Sequence, residues 1–194
     1  MTAIQFDALL AAHCAPALAG IKSANLISVK REAAEGLGTL ISNYSRVLNR
    51  DGIAMELLGS FERYALLLVY RPELLWNALL KNRDFLRLNG YTDWSNLDSL
   101  LSELKKRCRE HFVPCEIGMF LDYPLEEVIA FAQGTLPCRL CGYWKVYHDV
   151  AYAKKRFREF TLCRETYDMH LKNGETLFQI VQNNHKKEDA EASP

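Results

Sequence analysis

Two stretches of the chain are apolar without alternation, and they limit what it can fold into more than any other feature. Residues 64–70 read YALLLVY and residues 117–121 read IGMFL. A strand with one wet face alternates, whereas a run with no polar position has to be covered on both sides. Each run is followed by an X-Pro step, Arg71-Pro72 and Tyr123-Pro124. Proline lacks only an amide that the first turn of a helix leaves unused, so both steps read as a strand stopping and a helix starting. Read twice, that device predicts a sheet with helices packed on both faces.

Three further strands fit the pattern. Residues 25–30 carry Leu26, Ile27 and Val29. Residues 53–58 alternate after the Asp51-Gly52 turn and can pair with 64–70 as a hairpin. Residues 141–147 put Trp144 and Val146 on one side and Tyr143, Lys145 and Tyr147 on the other. Helical spacing of apolar residues predicts helices over 6–14 (broken before Pro16), 32–48, 72–82, 97–110, 125–133, 150–172 and 175–182. Ser95 or Asn96 is placed to cap the helix from Leu97, and Asp149 to cap the one from Val150. The expected fold is α/β, with α+β as the alternative, built on a central mixed sheet of about five strands. A single domain is expected over residues 1–184, followed by a charged, disordered tail over 185–194, HKKEDAEASP.

Composition narrows function by exclusion. Of 194 residues, 24 are basic and 24 acidic, with a sequence pI near 7.0, so the basic excess that marks a nucleic-acid footprint is missing. No apolar run reaches the span of a bilayer, and the start, MTAIQFDALL, lacks the basic opening and cleavage pattern of a signal peptide. The expected setting is the cytoplasm, the expected partner a small molecule rather than nucleic acid or membrane. The six cysteines then read as thiols or metal ligands rather than a disulfide framework. No phosphate-binding glycine loop, dinucleotide fingerprint, HExxH or nucleophile elbow occurs.

Three constellations can carry chemistry. In open parallel sheets, ligands bind at the carboxyl ends of the strands, beside helix N-termini that favour anions. Tyr70-Arg71-Pro72, Asp122-Tyr123-Pro124 and Tyr147-His148-Asp149 all end segments in this way. If those segments are parallel neighbours, Arg71, Tyr123 and His148 converge, with Tyr70, Tyr143 and Lys145 close by. The expected function is therefore a binding or accessory protein for a small anionic ligand or cofactor. The alternative is a thiol-dependent enzyme with Cys14 as nucleophile and Lys22 as its helper. A third reading is structural zinc. Cys138-x-x-Cys141, with Cys115 and either His111 or Cys108, offers the four soft ligands that tetrahedral Zn(II) takes. Ordinary thiols are the plainer account, since Cys108 continues a leucine stripe.

Four segments, HCAPALAGIKSANL, LLLVYRPELL, EIGMFLDYP and CGYWKVYHD, occur in an order that resembles an uncharacterised bacterial family, domain of unknown function 3793. The resemblance covers nearly the whole chain and implies no reaction, because the family has none assigned. It also implies a His in relatives at the position of Cys115, an exchange that a zinc ligand tolerates.

Overall fold

The computed structural model describes residues 1–111 and 113–192. Its elements, in order, are α1 (Ala3–Leu18), β1 (Ala24–Lys30), a 3-10 turn (Arg31–Ala33), α2 (Leu37–Leu48), a second 3-10 turn (Asn49–Asp51), β2 (Ala54–Ser60) and β3 (Tyr64–Tyr70). There follow α3 (Pro72–Lys81), α4 (Arg83–Leu88), α5 (Leu97–His111), α6 (Ile117–Phe120) and α7 (Leu125–Gln133). A short hairpin, β4 (Leu140–Cys141) and β5 (Lys145–Val146), leads into α8 (Val150–Lys172) and α9 (Leu177–Ala192).

Strand β3 is central, as its composition requires. It lies between β1 and β2 and runs antiparallel to both, with Leu68 opposite Leu26 and Leu67 opposite Leu57. A bulge between Leu57 and Gly59 shifts the second ladder by a residue. Ala65, Leu67 and Val69 enter one core with α1, α2, Tyr167 of α8 and the start of α9. Leu66, Leu68 and Tyr70 enter the other, with α3, α4, α5, α6 and Val128 of α7. Every β3 position from Ala65 to Tyr70 thus enters one core or the other. A polar residue there would be buried unpaired, at a cost of a few kcal/mol.

The expected mixed sheet of about five strands is corrected to a three-stranded antiparallel sheet and a separate two-stranded hairpin. With 59% of the residues helical and no parallel pair among the described residues, the architecture is α+β rather than α/β. The error lies at 117–121. An apolar run of five satisfies a buried helical turn as well as a buried strand, and periodicity does not separate the two. Here Ile117 N donates to Pro114 O (3.1 Å) and Leu121 N to Ile117 O (3.1 Å), and all four residues of α6 are buried. Gly118 lets α6 sit directly on α7, since a Cβ at that position would stand 2.6 Å from Val128 Cγ2. The segment 141–147 is likewise a hairpin with Cys141 opposite Lys145, not one strand, although Trp144 and Val146 are buried and Lys145 exposed as the alternation requires.

Local signals fared better where they were strong. Pro72 opens α3. Asn96 Oδ1 accepts from Ser99 N (2.9 Å) at the start of α5, and Asp149 Oδ1 accepts from Tyr152 N (2.9 Å) at the start of α8. Helix α1, however, is not broken before Pro16. It runs to Leu18 with the proline in its last turn, because its final carbonyls find a donor elsewhere in the fold.

Candidate functional site

That donor is Arg71, at the end of β3. Its Nε donates to Ala17 O (3.0 Å), Nη2 to Leu18 O (2.6 Å) and Nη1 to Asp51 O (3.4 Å). A guanidinium at a helix C-terminus answers both the orphan carbonyls and the negative end of the dipole. Arg71 N also donates to Ser23 O (2.9 Å), and Asn25 Oδ1 accepts from Ala17 N (3.1 Å). The turn between α1 and β1 is therefore held in place, and it presents Lys22 and Ser23.

Lys22 is only 3% exposed. Its Nζ lies 5.0 Å from the ring centroid of Tyr123 and 5.7 Å from that of Phe160, within cation–π range of both. Burial pushes its pKa down to about 8, with the negative charges of Asp122 and of Cys14, were it ionised, acting upward and Arg156 acting downward. Asp122, between α6 and α7, stands at φ 56, a left-handed conformation rare outside glycine. Desolvation raises its pKa, while Lys22, Arg156, Lys81 and the Ser23 backbone amide pull it back. The Ser23 hydroxyl is buried and has no hydrogen-bond partner.

These groups line a cavity of about 330 Å³ closed on its far side by α3: Lys22, Ser23 and Asp122 face Asn77, Lys81 and Asn82. Arg156 fixes the rim by donating through Nη2 to Ile21 O (2.7 Å). The cleft thus holds two lysines and one carboxylate together with an unpartnered hydroxyl, while Arg156 at its rim is already paired with Glu159 (Nη1 to Oε2, 2.5 Å).

A second cavity, of about 360 Å³ and largely apolar, lies beyond Tyr123. Tyr123, Val128, Phe131, Trp144, Lys145 and Cys115 contribute to its wall. The Tyr123 hydroxyl donates to Tyr143 O (2.8 Å), and burial raises its pKa to about 12, so it stays a neutral donor. The Trp144 indole N–H is buried without a partner. Buried Glu127 accepts from Tyr147 N (2.6 Å) and His148 N (3.1 Å), tying α7 to the hairpin.

Of the residues expected to bind a ligand, Tyr123 and Lys145 share the apolar cavity, Lys145 lying over the Phe131 ring. Tyr143 is joined to Tyr123 through its carbonyl. Arg71 is committed to the end of α1, Tyr70 is buried in the second core, and His148 is exposed with Nδ1 3.5 Å from Glu127. The crevice at parallel strand ends has no basis, because β1 and β2 both run antiparallel to β3 and the Asp122 segment follows a helix.

Cys14 lies wholly in the first core, where burial pushes its thiol pKa upward. A thiol held protonated is a poor nucleophile. Cys108 is buried in the second core, its pKa raised by burial to about 11. Cys138 and Cys141 are exposed with their sulfurs 3.7 Å apart. The His111 side chain lies outside the described residues. Among those residues, no three of His, Cys, Asp and Glu come together as metal ligands.

Sequence reasoning reached Lys22 only as a helper to Cys14 and Asp122 only as part of a segment end, and it missed Ser23, Lys81 and Asn77. Ser23 and Asp122 do stand inside two of the four recurring segments, which was the signal available. Among the described residues no helix is long and apolar enough to cross a membrane. A family profile described as "Protein of unknown function (DUF3793)" matches residues 10–181. No curated protein and no solved structure matches the chain.

Proposed function

The chain belongs to the DUF3793 family of proteins of unknown function, and from that premise we propose that it is a binding or accessory protein for a small anionic ligand held in the cleft at Lys22. One observation carries this reading: Lys22 and Lys81 share the cleft with the carboxylate of Asp122 beside the unpartnered Ser23 hydroxyl, while Arg156, itself paired with Glu159, acts on Asp122 from the rim. A carboxylate or phosphate group entering there relieves the cost of the buried ammonium and gives the hydroxyl an acceptor. The volume of about 330 Å³ suits a small metabolite rather than a polymer. Asn77 adds an amide that can accept or donate at the ligand's neutral part, and Asn82, whose Nδ2 donates to Ala78 O (3.0 Å), adds an accepting oxygen. The cysteine-enzyme reading has no such support, since Cys14 is buried and burial pushes its thiol pKa upward.

Thermal melting of the full chain at constant ionic strength, against inorganic phosphate, nucleotides and mono- and dicarboxylic acids, tests the proposal. At least one of these anions should raise Tm. Lys22→Met should weaken its binding about tenfold or more, and Ser23→Ala by a smaller factor. Absence of stabilisation by every anion, or equal affinity in Lys22→Met, would refute it.

A further inference from the structure

The exposed pair Cys138 and Cys141 serves no purpose in the anion cleft and is shaped for something else. The two thiols belong to the rigid β4–β5 hairpin, in which Arg139 N donates to Val146 O (2.8 Å) and Gly142 N to Trp144 O (3.1 Å). Behind the turn, the Phe157 ring of α8 lies so close to Gly142 that a Cβ there would collide with it. Trp144 and Val146 anchor the same hairpin in a small core with Ala153 and Phe160. The sulfurs are therefore fixed by packing while remaining open to solvent.

Their separation is that of two thiols in S–H···S contact, with Cys138 Sγ also donating to Leu140 O (3.2 Å), and it is compatible with a shared metal. Two thiolates each about 2.3 Å from one Zn(II) in tetrahedral array lie about 3.8 Å apart, and here the sulfurs stand 3.7 Å apart. Deprotonated, the pair has the spacing of one edge of such a tetrahedron. The other edge is not supplied by the same chain among the described residues. Two such edges related by a two-fold axis complete the tetrahedron, and a closed homodimer is the simplest way to bring them together.

We propose that Cys138 and Cys141 form an intermolecular zinc site, in which one Zn(II) is shared by the hairpins of two copies of this chain. Four thiols lose their protons as the ion binds, leaving a centre of net charge −2. One cation stands beside such a centre: Lys145 is opposite Cys141 across the hairpin. Leu136 and Phe131 are exposed apolar side chains on the segment leading into the pair, and they give the two copies a surface to bury around the metal.

The test uses the full chain, stripped of metal with a chelator and kept reduced with a phosphine, and zinc chloride as the probe. Titration should saturate at one zinc per two chains, and light scattering should show the mass doubling as it does so. Chelator should reverse both. Co(II) in place of zinc should give the visible absorption and thiolate charge-transfer bands of a tetrahedral tetrathiolate centre. The variant Cys138→Ser/Cys141→Ser should bind no zinc and stay monomeric while melting as the apo wild type does, because both side chains are exposed. One zinc per chain with unchanged mass would overturn the proposal, as would no binding at all, or a zinc-dependent dimer that survives in the double variant. None of these outcomes bears on the anion cleft, which is tested separately through Lys22.

Discussion

A lysine that is 3% exposed carries a charge that water cannot answer, so its proton becomes a measure of its surroundings. With Lys22 at a pKa of about 8 in the fold, against 10.5 in the unfolded chain, the two states bind protons differently between those values. Below pH 8 the amine is charged in both states, and the cost of burying it is fully present. From about 8 to 10.5 the folded chain has released the proton while the unfolded chain still holds it, so this contribution to stability rises with pH. Above 10.5 the cost is gone. Lys22→Met should therefore be more stable than wild type at pH 7, by up to about 3 kcal/mol, with the gap closing by pH 10.5. Urea unfolding of both chains at pH 7, 9 and 10.5 measures it. A gap that does not narrow as pH rises would mean that Lys22 is neither buried nor depressed as described. At this scale little was legible. Lys22 drew notice through its nearness to Cys14, whereas Asp122 and Lys81, which share its cleft, come from distant segments that no local spacing connects.

At the scale of elements, local signals were read well where a residue's effect ends within one turn. Pro72, Asn96 and Asp149 start their helices because capping and the missing proline amide act over three or four residues. Apolar runs behave otherwise, as α6 and the β4–β5 hairpin show. In the hairpin, Gly142 is required by a neighbour rather than by its turn alone: the Phe157 ring occupies the space a side chain would take. Gly142→Ala should cost about 1–3 kcal/mol, as overpacking does. In a Phe157→Ala background the same change should cost much less, a non-additivity that a double-mutant cycle reads directly. Equal costs in both backgrounds would show that the contact does not govern the turn.

At the scale of the whole molecule, β3 is the wall between two cores, and adjacent residues on it belong to different ones. Leu67→Ala removes a side chain packed with α1, α2 and α9, whereas Leu68→Ala acts on the side of α3 to α7. Each should cost about 2–5 kcal/mol. If the cores fold as one unit, as a single domain requires, each variant should still unfold in one transition, by fluorescence and by far-UV dichroism alike. Separate transitions, with only one shifted by each variant, would divide the chain into two units. By itself the sequence determined that 64–70 is a central strand covered on both faces, because seven apolar residues in succession leave no face for water. It likewise determined where α3, α5 and α8 begin. Only the tertiary structure decided that 117–121 is a helix, that β3's neighbours are antiparallel to it, and that Lys22 meets Asp122 across a cleft. The physical reason is common to all three. Burial satisfies an apolar residue whatever the backbone around it does, and the partner of a buried charge is chosen by chain topology, on which short-range periodicity carries no information.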